Sequence, residues 1–156
     1  MYGNIQGIKN LMSHYDKDGD YINPVNGLAG LLVTDDNENS RRRIISIPDS
    51  SKEEMYELTK KEFLRENGVH NGDTTKRTDV YNNLYRKMSK KDRLAAGYTL
   101  EKYERIYRQA FYDAAKKADP NWEIGKPIKD GALDSVTRET AESGKSPAQA
   151  TLDTKI

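Results

Sequence analysis

The chain has no cysteine, which excludes disulfides, thiolate nucleophiles and cysteine-ligated metals. Histidine occurs only at His14 and His70; His14 lies near a run of aspartates, and His70 has no serine or carboxylate at motif spacing. Elbows of the Gly-x-Ser-x-Gly type are absent, and Gly27-Leu28-Ala29-Gly30 lacks the third glycine and the lysine of a phosphate loop. Contiguous catalytic motifs are thereby excluded, and the reading leans away from an enzyme. An active site would have to be assembled from distant residues.

Long apolar runs are also missing, and none approaches the roughly 20 residues a helical membrane span needs. The opening Met1-Tyr2-Gly3-Asn4-Ile5-Gln6-Gly7 lacks the basic and apolar regions of a secretory signal. A cytoplasmic protein is expected, with export by a machinery that reads no cleavable signal left open. Net charge is short as well: 26 Lys/Arg against 25 Asp/Glu leave +1, so no global field points at nucleic acid or membrane. With an apolar fraction of 35%, the core should be modest.

What is abundant is tyrosine, ten against two phenylalanines and one tryptophan. Six of the ten (Tyr81, Tyr85, Tyr98, Tyr103, Tyr107 and Tyr112) fall in one helix-patterned stretch. Charge is uneven in the same place, since residues 74–118 carry twelve Lys/Arg against five Asp/Glu. A phenol has an apolar face and a polar tip, which suits a place half in a core and half at an interface.

Along the chain, Ile5, Ile8, Leu11, Met12 and Tyr15 have helical spacing, and Asp16 to Pro24 is a loop. Leu28–Val33 and Ile44–Ile47, separated by a polar turn, predict two short strands. Ser51-Lys52-Glu53-Glu54 reads as a capping box opening a helix that Asn67-Gly68 stops. A further helix from about Thr75 places Val80, Tyr81, Leu84, Tyr85 and Met88 on one face. Ser89 to Gly97 reads as a short turn. Thr99 then caps the clearest helix, with Tyr98 stapling onto Tyr103, and Asp119-Pro120 ends it. Glu101–Arg105, Glu104–Arg108 and Asp113–Lys117 have the favourable i,i+4 order. After Trp122, Pro and Gly punctuate an arm with a short helix near Ser135–Glu142.

Asp16-Lys17-Asp18-Gly19-Asp20 resembles the start of an EF-hand calcium loop, with oxygens at positions 1, 3 and 5. Position 6 is Tyr21 rather than glycine, and position 12 is Gly27 rather than glutamate. No cofactor is the default, and Ca²⁺ on Asp16, Asp18 and Asp20 is the alternative; His14 nearby admits a His/Asp variant. Arg41-Arg42-Arg43 could grip a phosphate or carboxylate, or serve as a solvated edge.

The fold expected is α+β and mainly α-helical: three to four helices, a small two-stranded element near 28–47 and an irregular C-terminal arm. Residues 1–125 form one domain and 126–156 the arm. The expected function is noncatalytic protein–protein interaction, as an assembly, adaptor or accessory factor, with a protein partner or self-association. Tyr81, Tyr85, Arg86, Lys90, Tyr103, Tyr107 and Trp122 form the contact surface. One alternative is nucleic-acid binding, with those tyrosines stacking on bases and Lys76, Arg77, Arg86, Lys87, Lys90, Lys91 and Arg93 neutralising phosphates. Another is an effector or hydrolase in which a cleft joins a histidine to the Asp16–Asp20 loop.

Overall fold

A computed structural model describes residues 14–70 and 74–144; the helix expected over residues 4–15 and the end of the arm fall largely outside them. Among the described residues there are four α-helices: α1 (Asp49–Arg65), α2 (Thr74–Arg86), α3 (Arg93–Ala118) and α4 (Arg138–Gly144). A 3₁₀ turn, Lys90–Asp92, leads directly into α3. The fold is mainly helical, and none of these helices is long and apolar enough to cross a membrane.

α3 is the centre of the molecule, packed against α1, α2 and α4. Its Leu100, Ile106, Tyr107, Phe111 and Ala115 meet Met55, Tyr56 and Phe63 of α1 and Val80 and Leu84 of α2 in one core. Tyr56 lies edge-on to Tyr107, with ring centres 5.3 Å apart, and Phe63 and Phe111 are 5.9 Å apart. Aromatic contacts therefore compensate for the scarcity of long aliphatic side chains.

α1 ends as Asn67-Gly68 predicts. Asn67 adopts φ 51° and Gly68 φ 84°, while Gly68 N donates to Phe63 O and Asn67 N to Leu64 O, the Schellman arrangement. The start of α1 differs from the capping-box reading. The helix begins at Asp49 after Pro48, without a side-chain cap, and Ser51 is buried inside it.

α3 likewise starts earlier than expected, so Gly97 is a helix-interior residue and Thr99 does not cap. Glycine is needed at 97 because the hydroxyl end of Tyr85 reaches that turn: a β-carbon there would stand 2.7 Å from the Tyr85 hydroxyl. Gly97→Ala should lower stability by about 1–3 kcal/mol, overriding alanine's helix advantage of about 1 kcal/mol. Tyr85→Phe in the same chain should recover part of the loss in a urea titration.

The two-stranded element near 28–47 does not form. The described β-structure is two isolated bridges, Tyr15 with Tyr21 and Ile22 with Ala29. The Ile44–Ile47 run is extended but takes its partner from a helix: Ile45 N donates to Thr99 Oγ1 at 3.0 Å, and Thr99 Oγ1 donates to Arg43 O. Ile47 is buried and Ile45 packs beside the core, leaving Ile44 outside.

The early part of the expected arm returns to the body. Leu133 and Ala141 are buried in the core, and Ile128, Ala132 and Val136 pack against it. Tyr56 Oη donates to Val136 O at 2.9 Å. α4 begins later than Ser135, where Thr140 N donates to Thr137 Oγ1 and Thr137 N to Thr140 Oγ1, a reciprocal cap. Residues 145–156 lie outside the described part.

Candidate functional site

The Asp16–Asp20 turn is tight because Asp16 Oδ1 accepts from both Asp18 N and Asp20 N, at 3.0 and 2.9 Å. One carboxylate oxygen from each of Asp16, Asp18 and Asp20 gathers within 4.8 Å, as an EF-hand start would require. The cation among them is Lys90: its Nζ lies 2.9, 2.7 and 2.6 Å from the three carboxylates. Those contacts raise the lysine above its ordinary pKa, and backbone hydrogen bonds with the lysine contact hold Asp16 below its own. The lysine anticipated as a partner contact instead anchors the loop to the body. Arg93 assists, donating to Ala29 O at 2.8 Å and to Tyr85 O at 2.9 Å.

Removing the ammonium leaves three like charges together. Lys90→Ala should lower the thermal midpoint, and millimolar Ca²⁺ should raise the variant's midpoint more than the wild type's. Equal calcium responses would mean that Lys90 does not occupy the cation position.

Beside this loop a groove of about 450 Å³ is lined by Tyr15, Tyr21, Leu32, Arg41, Arg43 and Lys91, among others. Its arginines are engaged. Arg43 pairs with Asp92 at 3.2 Å, and Arg41 and Arg42 approach Glu38 at 3.5 and 2.7 Å. Tyr15 and Leu32, 44% and 56% exposed, leave apolar surface uncovered in this groove, and Val25, Val33 and Ile44 are exposed elsewhere in the same segment.

The six tyrosines of the stretch are not buried alike. Tyr107 is fully buried, its hydroxyl donating to Glu142 Oε2 at 2.5 Å, and Trp122 is buried between Phe63 and Tyr112. Both are core residues in this fold, inaccessible to a partner. Burial pushes the Tyr81 and Tyr107 phenols well above their usual pKa and raises that of Tyr85. Tyr81 and Tyr85 are half-buried ring neighbours, 6.2 Å apart. Tyr103 is half-buried too, with Lys52 Nζ 4.8 Å from its ring centre. Arg86 stays exposed and bonds Asn83.

A second set of polar groups converges where α1 ends against α2 and α3. Arg77 bridges Glu62 at 3.0 Å and Glu104 at 2.9 Å, both carboxylates being buried. Glu104 thus turns to Arg77, whereas Glu101 keeps its i,i+4 partner Arg105 at 3.0 Å. Burial raises the Glu104 carboxyl above its ordinary pKa against the pull of Arg77 and Arg108. His70 Nε2 stands 3.8 Å from Glu104 Oε2, outside hydrogen-bond range. Its pKa is lowered by burial and by Arg108 and Arg77. The acid closest to this histidine is therefore on α3, and the Asp16–Asp20 carboxylates face Lys90. His14 is exposed beside that loop, its carbonyl accepting from Ile22 N.

Neither Glu62 nor Glu104 stood out by motif, but a signal existed. Glu62 falls seven residues after Met55, and Glu104 between Leu100 and Tyr107, so each ionisable group interrupts an apolar stripe.

A family model covers residues 1–156, the full sequence, and its description is a domain of unknown function (DUF3879). The chain belongs to this family. No curated protein and no solved structure matches it. For this DUF3879 chain the site geometry is thus the main guide to function.

Proposed function

We propose that this chain is a noncatalytic protein-binding module whose contact surface is the loop face of residues 15–44. The observation that carries the reading is where apolar surface is left uncovered. Of the eight large apolar residues exposed among the described residues, five (Tyr15, Val25, Leu32, Val33 and Ile44) belong to this segment. Two of the five, Tyr15 and Leu32, line the groove, and exposed apolar side chains in a groove are characteristic of interaction surfaces. The segment is also held in place, by Lys90, Arg93 and the Asn26–Asn82 hydrogen bond of 3.2 Å, so binding would not have to order it first.

Charge pairing favours a protein over nucleic acid. Of the seven basic residues expected to meet phosphates, Arg77, Lys87 and Lys90 have carboxylate partners and Arg93 donates to two carbonyls. Neutralised cations release few counterions, and the buried Tyr107 phenol offers no face to a base.

Affinity capture from an extract of the native cell, with nuclease present, tests the reading. Val25→Asp with Leu32→Asp should abolish capture of a protein that the wild type retains in high salt, while circular dichroism stays unchanged. Undiminished capture by the folded double variant would contradict it, and capture lost to nuclease in the wild type would favour nucleic acid.

A further inference from the structure

A separate cavity of about 450 Å³ lies at the end of α1, with Phe63 at its floor and Val69, Tyr112 and Ile124 on its walls. Among the described residues, Val69 and Ile124 are two of the three large apolar side chains exposed outside the loop face. A volume of this order, with apolar walls and few polar groups, is that of a small-ligand site.

The charged groups of the lining are not equally open. Glu104 is 6% exposed, and Arg77 holds its Oε2 at 2.9 Å beneath the surface. Arg105 occupies Glu101 at 3.0 Å. Both carboxylates are thus matched by a guanidinium before any ligand arrives. Arg108 is not: it is half-buried, donates to Gly68 O at 3.1 Å and lies over the Phe63 ring, and among the described residues no carboxylate stands within ion-pair distance of it.

The bond to Gly68 fixes where this guanidinium points. Gly68 belongs to the left-handed stop of α1, with φ 84° and its N–H donating to Phe63 O, so the acceptor carbonyl is itself held. A guanidinium carries five N–H donors in a rigid fork, and no nitrogen of Arg108 is both buried and unpaired. The donors that it does not use are therefore reachable from outside. Burial pushes its pKa below the ordinary arginine value, and Glu104 opposes that shift only in part. A carboxylate in contact with the fork would offset the rest.

The ligand class follows from what is open. A cation would meet an unmatched guanidinium and no free carboxylate. A wholly apolar molecule would cover the guanidinium and leave it desolvated without a partner. A carboxylate on an apolar body suits both the fork and the walls.

We propose that this cavity binds a small monocarboxylate with an apolar body. The carboxylate accepts from Arg108, and the body lies against Val69, Tyr112 and Ile124. The site is distinct from the loop face and stands or falls independently of it.

The test is an amide NMR titration of the full chain with hydrocinnamate and octanoate, alongside hydrocinnamamide, the uncharged analogue, and phenethylamine, the cationic one. At least one acid should give saturable shifts at Val69, Arg108 and Ile124. The amide and the amine should bind at least about ten-fold more weakly than hydrocinnamate, because neither forms the charge-assisted pair. This comparison is made on the unaltered chain, so it decides whatever a substitution does to folding. Arg108→Gln should weaken binding of the acid by a similar factor and leave that of the amide unchanged. Ile124→Trp, at an exposed wall position, should fill the cavity and block binding with circular dichroism unchanged. Absence of saturable shifts with both acids, binding of the amide or the amine equal to that of hydrocinnamate, or undiminished binding by folded Arg108→Gln or Ile124→Trp would overturn the proposal.

Discussion

Arg77→Met is expected to destabilise the protein by about 3–5 kcal/mol, because it strands two buried carboxylates without their shared cation. Small domains have only about 5–15 kcal/mol in total, so the shift in a urea midpoint would be plain. The arginine bridges Glu62 and Glu104, and the remaining partner of Glu62 is Arg65 at 3.7 Å. The deficit should depend on pH with a definite sign. Burial raises the folded-state pKa of Glu104 above 4.5, so the folded chain binds the proton more tightly than the unfolded one. Its contribution to stability therefore falls as pH rises from about 4.5 through the folded pKa. Removing Arg77 takes away a group that opposes this rise, so the loss is greatest at neutral pH and shrinks on acidification. Adding Glu62→Gln and Glu104→Gln to the variant should recover most of it. A pH-independent loss, or one below about 1 kcal/mol, would show that the bridge contributes little.

Trp122→Ala should cost a comparable amount, about 3–5 kcal/mol, as a large buried aromatic is truncated. The indole contacts Phe63 and Tyr112, with ring centres 6.0 and 5.7 Å away, and donates to Lys126 O at 2.8 Å. It also supports the turn after α1, where a β-carbon on Gly68 would lie 3.0 Å from the ring. Because this is the sole tryptophan, the variant must be followed by circular dichroism rather than intrinsic fluorescence. Trp122→Phe should lose far less, since the freed Lys126 carbonyl is on an exposed residue. Partner capture per folded molecule, measured below the transition, should be unchanged in both. A specific loss of capture by the folded Phe variant would return Trp122 to the contact surface.

Local rules carried much of the fold. The spacing of Val80 and Leu84 predicts α2, and Asn67-Gly68 predicts the end of α1, because helix periodicity and left-handed caps depend on neighbouring residues alone. The errors arose where a distant residue decides. Gly97 looks like a breaker until Tyr85 is seen to need the space above it. Ile44–Ile47 looks like a strand until Thr99 claims its backbone. Lys90 reads as a free cation, yet its three acids lie about 70 positions earlier in the chain. The tyrosines were hardest to assign: a phenol on an apolar stripe suits an interface or a core equally. Only an acceptor within reach such as Glu142, part-buried on α4, makes the core the better place for Tyr107.

The most direct test of the binding reading is hydrogen–deuterium exchange on the chain alone and on the complex recovered by affinity capture. Protection appearing over residues 25–44, with exchange across residues 76–118 unaltered, is the predicted footprint. Protection confined to residues 76–118 would contradict it and restore the tyrosine-rich helices as the contact surface.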